Sequence, residues 1–200
     1  GAAELIISSY RDSFFGNNLK KQTANIASIR AGNVIGGGDW SKDRIVPDIM
    51  KAVLNNEKLI IRNPNAIRPW QYVLEPIGGM LWLAANMSEE KEKYNHGWNF
   101  GPDNNVKSST VKEIANKILE KMNSNTKIEV SSNSTDMYES GILSLNSQKS
   151  KNQLNWQNNY SIEETVLETI EWYKNYQENN KNMKEFSIFK LNKYFMKIKE

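Results

Sequence analysis

Apolar positions recur along the chain with alternating helical and strand periods, which predicts an α/β protein. Apolar residues at helical spacing run from the start to about Phe15, where Gly16-Asn17-Asn18 is a good helix stop. The apolar run from Asn25 to Val34 does not alternate cleanly with polar residues, as expected for a strand covered on both faces in a mostly parallel sheet. The later helices are predicted at 45–54, 75–86, about 109–122, 147–154 and from 161 onward, and the later strands at 59–61, 97–102, 127–130 and 142–145.

Two helix starts carry capping signals. Ser161 and Glu164 have the spacing of a capping box. Ser108 or Ser109 is placed to cap the helix whose apolar face begins at Val111.

The tail from residue 181 combines lysines with an apolar stripe. Ile188, Leu191, Phe195 and Ile198 fall roughly along one helical face, with lysines elsewhere. A basic amphipathic helix is also able to bind membranes, but packing on its own protein is the commoner outcome. We therefore expect the apolar face to point inward, without membrane contact.

Composition narrows the possible chemistry. The net charge of the 200 residues is only +3 and most of the excess lies in the tail, so no nucleic-acid partner is expected. Cysteine is absent, which excludes thiol chemistry and fits a reducing, cytoplasmic setting. The single histidine, His96, argues against a His-based metal site or catalytic triad. No apolar run reaches membrane-spanning length, and no signal peptide is recognisable at the start.

Arginine is scarce and clustered. Only five arginines occur among many lysines, and four of them lie between residues 30 and 68 together with the triple glycine Gly36-Gly37-Gly38. A planar, bidentate donor suits phosphate or carboxylate. Polar groups at strand ends and in glycine-rich loops are typical of ligand sites in open α/β sheets. The stretch is predicted to bind an anion, although any single arginine is equally compatible with pairing to a neighbouring acid.

Three runs in this stretch resemble the CDP-glucose 4,6-dehydratases of the extended short-chain dehydrogenase/reductase family. They are RAGNVIGGGDW (30–40), DRIVPD (43–48) and IRNPNAIRPWQ (61–71), followed in the same order by WNFGP (98–102), LN (145–146) and LNW (154–156). The resemblance covers about residues 1 to 175. The run at 138–142 departs from the family pattern and keeps only Glu139.

The resemblance implies the C-terminal part of a Rossmann-type doubly wound parallel sheet plus a small α/β substrate-binding domain. It also implies a lyase in which NAD+ takes hydride from C4 of the glucose unit, water leaves across C5 and C6, and the hydride returns to C6. The product would be CDP-4-dehydro-6-deoxyglucose, a precursor of deoxysugars in bacterial surface polysaccharides such as the O-antigen of lipopolysaccharide.

The catalytic and cofactor signatures of that family are missing here. Gly1-Ala2-Ala3-Glu4 matches the run that follows the family's Tyr-x-x-x-Lys, so this pair and the glycine fingerprint for NAD would lie upstream. No catalytic residue is therefore assigned, and the chain is expected to be an inactive downstream part of a longer NAD-dependent enzyme. By resemblance, that enzyme is a homodimer that associates through the first helix.

The remaining half is implied to bind the CDP-sugar. The implied contacts are Asn33 near the sugar or phosphate, Arg44 with Ile45 and Pro47 at the nucleotide, Arg68 at the diphosphate, and Asn99 at a strand end. No metal ligand is assigned. The expected division is 1–35 (end of the NAD-binding domain), 36–66 (substrate-binding segment), 67–102 (helix and last strand of the Rossmann sheet), 103–178 (substrate-binding domain) and 179–200 (basic tail).

Two alternatives remain open from the sequence. The same scaffold supports nucleotide-sugar epimerases and reductases, because fold alone does not fix function. A non-catalytic module or remnant that binds a nucleotide sugar is the other alternative. It would leave the apolar face of the first helix and a sheet edge to be covered.

Overall fold

The computed structural model describes residues 1–15, 24–103, 108–131 and 140–198 of the chain. Within these residues the helices are α1 (Ala2–Phe14), α2 (Ile45–Asn55), α3 (Leu74–Glu89), α4 (Lys91–Tyr94), α5 (Val111–Lys121), α6 (Gln148–Leu154), α7 (Ile162–Asn179) and α8 (Met183–Lys197), with a 3-10 turn at Asn180–Asn182 before α8. The strands are β1 (Ser28–Ala31), β2 (Asn33–Ile35), β3 (Leu59–Ile61), β4 (Trp70–Tyr72), β5 (Gly97–Phe100) and β6 (Ile128–Val130).

The strands of the described residues form three parallel pairs. β1 pairs with β5, β2 with β4, and β3 with β6. Parallel strands need crossover connections, and helices supply them here. The predicted α/β class with parallel strands is confirmed.

The largest core lies between α2, α5, α7 and the strands β2, β3 and β4. Ile49, Met50, Leu59, Ile114 and Ile170 are almost completely inaccessible there. A second cluster surrounds Trp98 and Phe100 of β5. Burial of such side chains stabilises a fold by about 1.5–3 kcal/mol each. The elements that border the cavity described below are thus part of a well-packed core.

The predicted strand at 25–34 is wrong in one respect, because the structure divides it into β1 and β2. β1 follows β5 in register Ser28↔Gly97, whereas β2 follows β4 in register Asn33↔Trp70. The backbone N–H of Asn33 donates to the carbonyl of Pro69 at 2.9 Å, which draws the chain toward its second partner. A change of partner within one apolar run leaves no trace in its periodicity.

Two local predictions fail between residues 108 and 145. The cap of α5 is Thr110, whose side chain accepts from the N–H of Glu113 while the Glu113 carboxylate accepts from the N–H of Thr110. The reciprocal bond from Glu113 favours this position over Ser108 and Ser109.

The predicted strand at 142–145 is reduced to an isolated bridge between Ile67 and Ile142.

The tail forms the predicted helix but with the opposite face inward. Lys190 and Tyr194 are buried, while the predicted inner residues, such as Ile188 and Phe195, are exposed. The reason is electrostatic, because Glu168 of α7 binds both Lys190 and Lys193.

Helix α3 is less buried than its composition predicts. Only Glu75, Pro76, Gly79 and Leu83 are buried within the described structure. The other elements described contact α3 mainly along one side, so apolar residues such as Leu81 face outward.

Some predictions are not tested. The helix stop at 16–18 and residues 138–139 lie outside the described residues. The division into five segments also stays a prediction. Within the described part of the chain, no helix combines the length and apolar character that a membrane crossing requires.

Candidate nucleotide-binding site

A cavity of about 450 Å³ opens where β2 ends and α2 begins. The far sides are formed by β3, by the segment before β4 and by Val111 at the start of α5. Ligands of open α/β folds gather at the carboxyl ends of strands, and the N-terminal turn of a helix favours anions. Both features meet here.

Five of the six sequence-predicted residues line this cavity. They are Asn33, Arg44, Ile45, Pro47 and Arg68. Asn33 opens β2, Arg44 occupies the N-cap position of α2, and Ile45 and Pro47 belong to its first turn. The structure thus brings together residues that are up to 35 positions apart in the chain.

Asn99, the sixth residue, is not among the lining residues. The Oδ1 atom of Asn99 accepts from Arg30 at 3.1 Å, and its Nδ2 atom donates to the carbonyl of Asn146 at 2.9 Å. In this arrangement the amide links β1, β5 and the segment before α6.

The arginine cluster of the sequence divides into two groups. Arg44, Arg62 and Arg68 line the cavity, whereas Arg30 donates to Glu4 of α1 at 2.7 Å. Three arginines in one lining supply planar donors of the kind that bind phosphate, and Asp39, Asp43 and Asp48 line the same cavity.

Arg68 is the most buried of the three, with 6% of its surface exposed. The Nη1 atom donates to the carbonyl of Ile67 at 2.9 Å and to that of Ser140 at 3.0 Å. These two carbonyl oxygens help to fix the position of the guanidinium group. Because screening by salt is weak for a buried group, this arrangement favours a strong interaction with a phosphate.

Arg44 is oriented by Asp39, a residue that the sequence predictions did not assign. The Nη1 atom of Arg44 donates to Oδ2 of Asp39 at 3.0 Å, and the N–H of Ser41 donates to Oδ1 at 3.0 Å. Partial burial of Asp39 opposes its ionisation, but these bonds outweigh burial, so the pKa of Asp39 lies below its usual value. The carboxylate therefore stays charged at neutral pH and holds Arg44 at the cavity edge.

Asp43, Arg62 and Asp48 also line the cavity, and the sequence predictions assigned none of them to the substrate. Asp43 contacts Arg62 at 3.4 Å between Oδ1 and Nη2, and its backbone has a φ of +61°. Burial raises the pKa of Asp48, with a further contribution from the charge of Asp43, whereas Lys51 and Arg62 act in the other direction. The only sequence signal for these acids was their position beside Arg44 and Pro47 in the run 43–48.

The glycine turn beside the cavity has no room for a dinucleotide phosphate against its backbone at Gly36 and Gly37. The glycine turn of 36–38 is the one that resembles a phosphate loop, but Val73 and Trp172 pack against it so closely that added Cβ atoms at Gly36 and Gly37 would lie 2.6 and 2.0 Å from them. NAD therefore does not fit this turn. Within the described ranges, no cluster of three or more His, Asp or Glu residues has an arrangement able to hold a metal ion.

Comparison with known sequences identifies the family. The sequence profile of GDP-mannose 4,6 dehydratase matches residues 2–169 of the chain. The chain belongs to the GDP-mannose 4,6 dehydratase family. It is 41% identical over 176 residues, 87% of its length, to a CDP-glucose 4,6-dehydratase of Salmonella typhimurium, of which the match covers 48%. The family resemblance predicted from residues 30–71 is confirmed, and the chain spans about half the length of this relative.

Solved structures share the fold at lower identity. The dTDP-glucose 4,6-dehydratase of Bacillus anthracis, determined in complex with NAD, has a TM-score of 0.69 at 20% identity and matches 89% of this chain and 51% of its own. An epimerase from Methanothermobacter thermautotrophicus has a TM-score of 0.70 at 18% identity, over 91% of this chain and 49% of its own. These neighbours support the Rossmann-type architecture that was predicted for the family.

Proposed function

We propose that this chain is the nucleotide-sugar-binding half of a sugar-nucleotide 4,6-dehydratase that acts on CDP-glucose. The observation that carries the proposal is the convergence of Arg44, Arg62 and Arg68 on one cavity. The 41% identity to a CDP-glucose 4,6-dehydratase supports the choice of substrate. The reaction would yield CDP-4-dehydro-6-deoxyglucose and water.

The chemistry of the cavity fits a nucleoside diphosphate. A diphosphate presents several acceptor oxygens and two negative charges, which arginines bind as planar, multiply hydrogen-bonded partners. Arg68 is proposed to neutralise the diphosphate, Arg44 to bind the nucleotide side, and Asn33 to reach the sugar or phosphate. Ile45 and Pro47 supply apolar surface, which ligand cavities combine with a few polar groups.

The family resemblance implies a catalytic Tyr-x-x-x-Lys pair that is not assigned within these 200 residues. We propose that NAD and the catalytic Tyr-x-x-x-Lys are provided by residues upstream of Gly1, and that the 200 residues alone bind substrate without converting it. This part of the proposal rests on the family and on a structural neighbour that is solved with NAD. The coding DNA upstream of Gly1 tests it, because a Tyr-x-x-x-Lys that ends directly before Gly1 is expected.

The binding proposal is tested by calorimetric titration of the chain with CDP, cytidine and inorganic phosphate. CDP is expected to bind more tightly than either component, because only CDP engages the arginines and the apolar wall together. Equal affinities for CDP and phosphate would contradict a nucleotide site. For an intact protein, mass spectrometry of the product distinguishes the reactions. Only a dehydratase, and not an epimerase or a reductase, removes one water from CDP-glucose.

A homodimer through α1 is proposed for the intact protein. Leu5, Ile6, Tyr10 and Phe14 are 55–74% exposed and form one apolar side of α1. The other side is held by Glu4, which accepts from Ser28 and Arg30. Exposed apolar patches of this kind mark interaction sites, and two copies would bury them in a symmetric contact.

We also propose a cytoplasmic enzyme whose tail does not bind membranes. Lys190, Lys193 and Lys197 of α8 form ion pairs with glutamates of α7. These pairs reduce the charge available to anionic lipids, which a basic helix needs for firm binding. Co-sedimentation of the protein with anionic vesicles tests this, and recovery with the vesicles would contradict it.

A further inference from the structure

The loop between β2 and α2 is fixed from outside the cavity by aromatic residues of α7. Trp172 packs against Gly37 so closely that a Cβ atom added to Gly37 would lie 2.0 Å from Cγ of Trp172. Gly38 has a φ of +84°, a conformation that L side chains rarely adopt. The shape of this loop therefore depends on the ring behind it.

Tyr173, the next residue of α7, holds the same loop by a hydrogen bond. The hydroxyl of Tyr173 donates to the backbone carbonyl of Asp39 at 2.6 Å, and only 2% of Tyr173 is exposed. The ring of Trp40 meets the Tyr173 ring edge-on, with 5.2 Å between centroids. The backbone of Asp39 is thus bound by α7, while its carboxylate binds Arg44.

The carboxylate of Asp39 faces the cavity and holds Arg44. The Arg44 side chain is otherwise largely exposed and has many rotamers to lose when it binds a ligand. A fixed Asp39 reduces that loss, because the guanidinium is already placed before the ligand arrives. The path of contacts runs from Tyr173 through Asp39 to Arg44.

We infer that Tyr173 and Trp172 are positioning residues for anion binding, which set Arg44 through the loop of residues 36–40. The inference rests on the proposed function, since it assigns the ligand of Arg44 as a phosphate-bearing nucleotide. It adds a role for the end of α7, because the family profile matches only as far as residue 169.

Helix α8 contacts the side of Trp172 through a hydrogen bond. The Nε1 atom of Trp172 donates to Oγ of Ser187 in α8 at 3.0 Å. Lys190 binds Glu168 and Glu171 and holds α8 against α7. Helix α8, which lies outside the matched residues, thus contacts the residue that packs against Gly37.

The test compares two tyrosine variants of the intact protein by calorimetric titration with CDP. Tyr173→Phe removes one hydroxyl and keeps the ring, and we expect CDP to bind about 3- to 10-fold more weakly, the range of one hydrogen bond. Tyr194→Phe is the matched control, because its hydroxyl donates to Glu75 and has no part in the loop. Similar melting temperatures with a CDP defect only in Tyr173→Phe would support positioning.

A double-mutant cycle with Arg44→Ala separates positioning from a general structural role. If Tyr173 acts through Arg44, Tyr173→Phe has no further effect on CDP affinity when Arg44 is already alanine. Additive effects in the double variant would overturn the inference. Equal CDP affinity of Tyr173→Phe and the unmodified protein would overturn it too.

A glycine pair gives an independent readout. Gly37→Ala is expected to displace Trp172 and weaken CDP binding at least 10-fold, whereas Gly78→Ala adds its methyl 3.4 Å from the nearest atom and leaves affinity unchanged. Unchanged binding in Gly37→Ala would overturn the role of Trp172. If the unmodified protein binds no CDP, the proposed function fails and the inference with it, whereas normal CDP binding in both Tyr173→Phe and Gly37→Ala removes the inference alone.

Discussion

Removal of the Arg68 guanidinium is expected to weaken CDP binding by about 10- to 100-fold. Hydrogen bonds to charged groups contribute about 1.5–3 kcal/mol, and each 1.4 kcal/mol corresponds to a factor of ten in affinity. The upper part of the range is favoured because Arg68 is buried and already ordered by the carbonyls of Ile67 and Ser140. Screening by salt and the entropy cost of ordering the side chain therefore weaken the interaction of Arg68 with a phosphate only slightly.

Arg68→Ala also removes one donor from the carbonyl of Ile67, which keeps the N–H of Leu143, and from that of Ser140, so the fold loses some stability as well. One intramolecular hydrogen bond contributes about 0.5–1.5 kcal/mol. The assay must therefore distinguish a damaged fold from a lost phosphate contact. Calorimetric titration with CDP and with cytidine does so, because cytidine has no phosphate for Arg68 to bind.

The expected result is a large loss for CDP with little change for cytidine. Arg68→Lys is the matched variant, since it keeps the charge without the planar group that reaches both carbonyls, and we expect it to fall between the two. A parallel loss for CDP and cytidine would refute a phosphate contact and leave a structural role. Unchanged affinity for both would refute the placement of Arg68 in the site.

Three further variants test the framework around the cavity. Asn99→Ala is expected to lower the melting temperature and leave CDP affinity unchanged, since its amide bonds Arg30 and lies outside the cavity; weaker CDP binding would restore the role predicted from the sequence. Lys190→Ala leaves the buried Glu168 with fewer partners and should reduce the free energy of unfolding by about 3 kcal/mol, which urea denaturation measures. Burial raises the pKa of Glu75 above 4.5. The stability linked to its protonated form is therefore present below pH 4.5 and is lost as the pH rises through the higher folded pKa. Glu75→Gln should reduce this loss, which thermal melts recorded at a series of pH values measure.

Local signals in the sequence were sufficient for most elements of the fold. Helix α2 and the capping box of Ser161 and Glu164 were predicted correctly, because periodicity and caps act within a few residues. The cap at Thr110 was missed although Glu113 stands three residues later, a signal that the sequence contained. The division of β1 from β2 was not predictable in this way, since it depends on partners at Gly97 and Trp70.

The site was predictable where resemblance and charge agreed, and not where a contact spans the chain. Arg44 and Arg68 were assigned because arginine is scarce and lies in specific runs, and both line the cavity. Asp39 stood in the same run, but its role depends on Tyr173, which follows it by 134 positions. Pairs at that separation are invisible to periodicity and spacing, because only the folded chain brings them together.

The inverted tail helix shows how a charge pattern can override an apolar one. Burial of the stripe at Ile188 and Phe195 would gain roughly 1.5–3 kcal/mol for each side chain, yet both stay exposed. The opposite face carries Lys190 and Lys193, and α7 presents Glu168 to both of them. The buried carboxylate of Glu168 needs cationic partners; Lys190 supplies one from the buried face of α8, and Lys193 reaches it from an exposed position. The orientation of α8 is thus decided by α7, which is also the helix that holds the loop of the cavity.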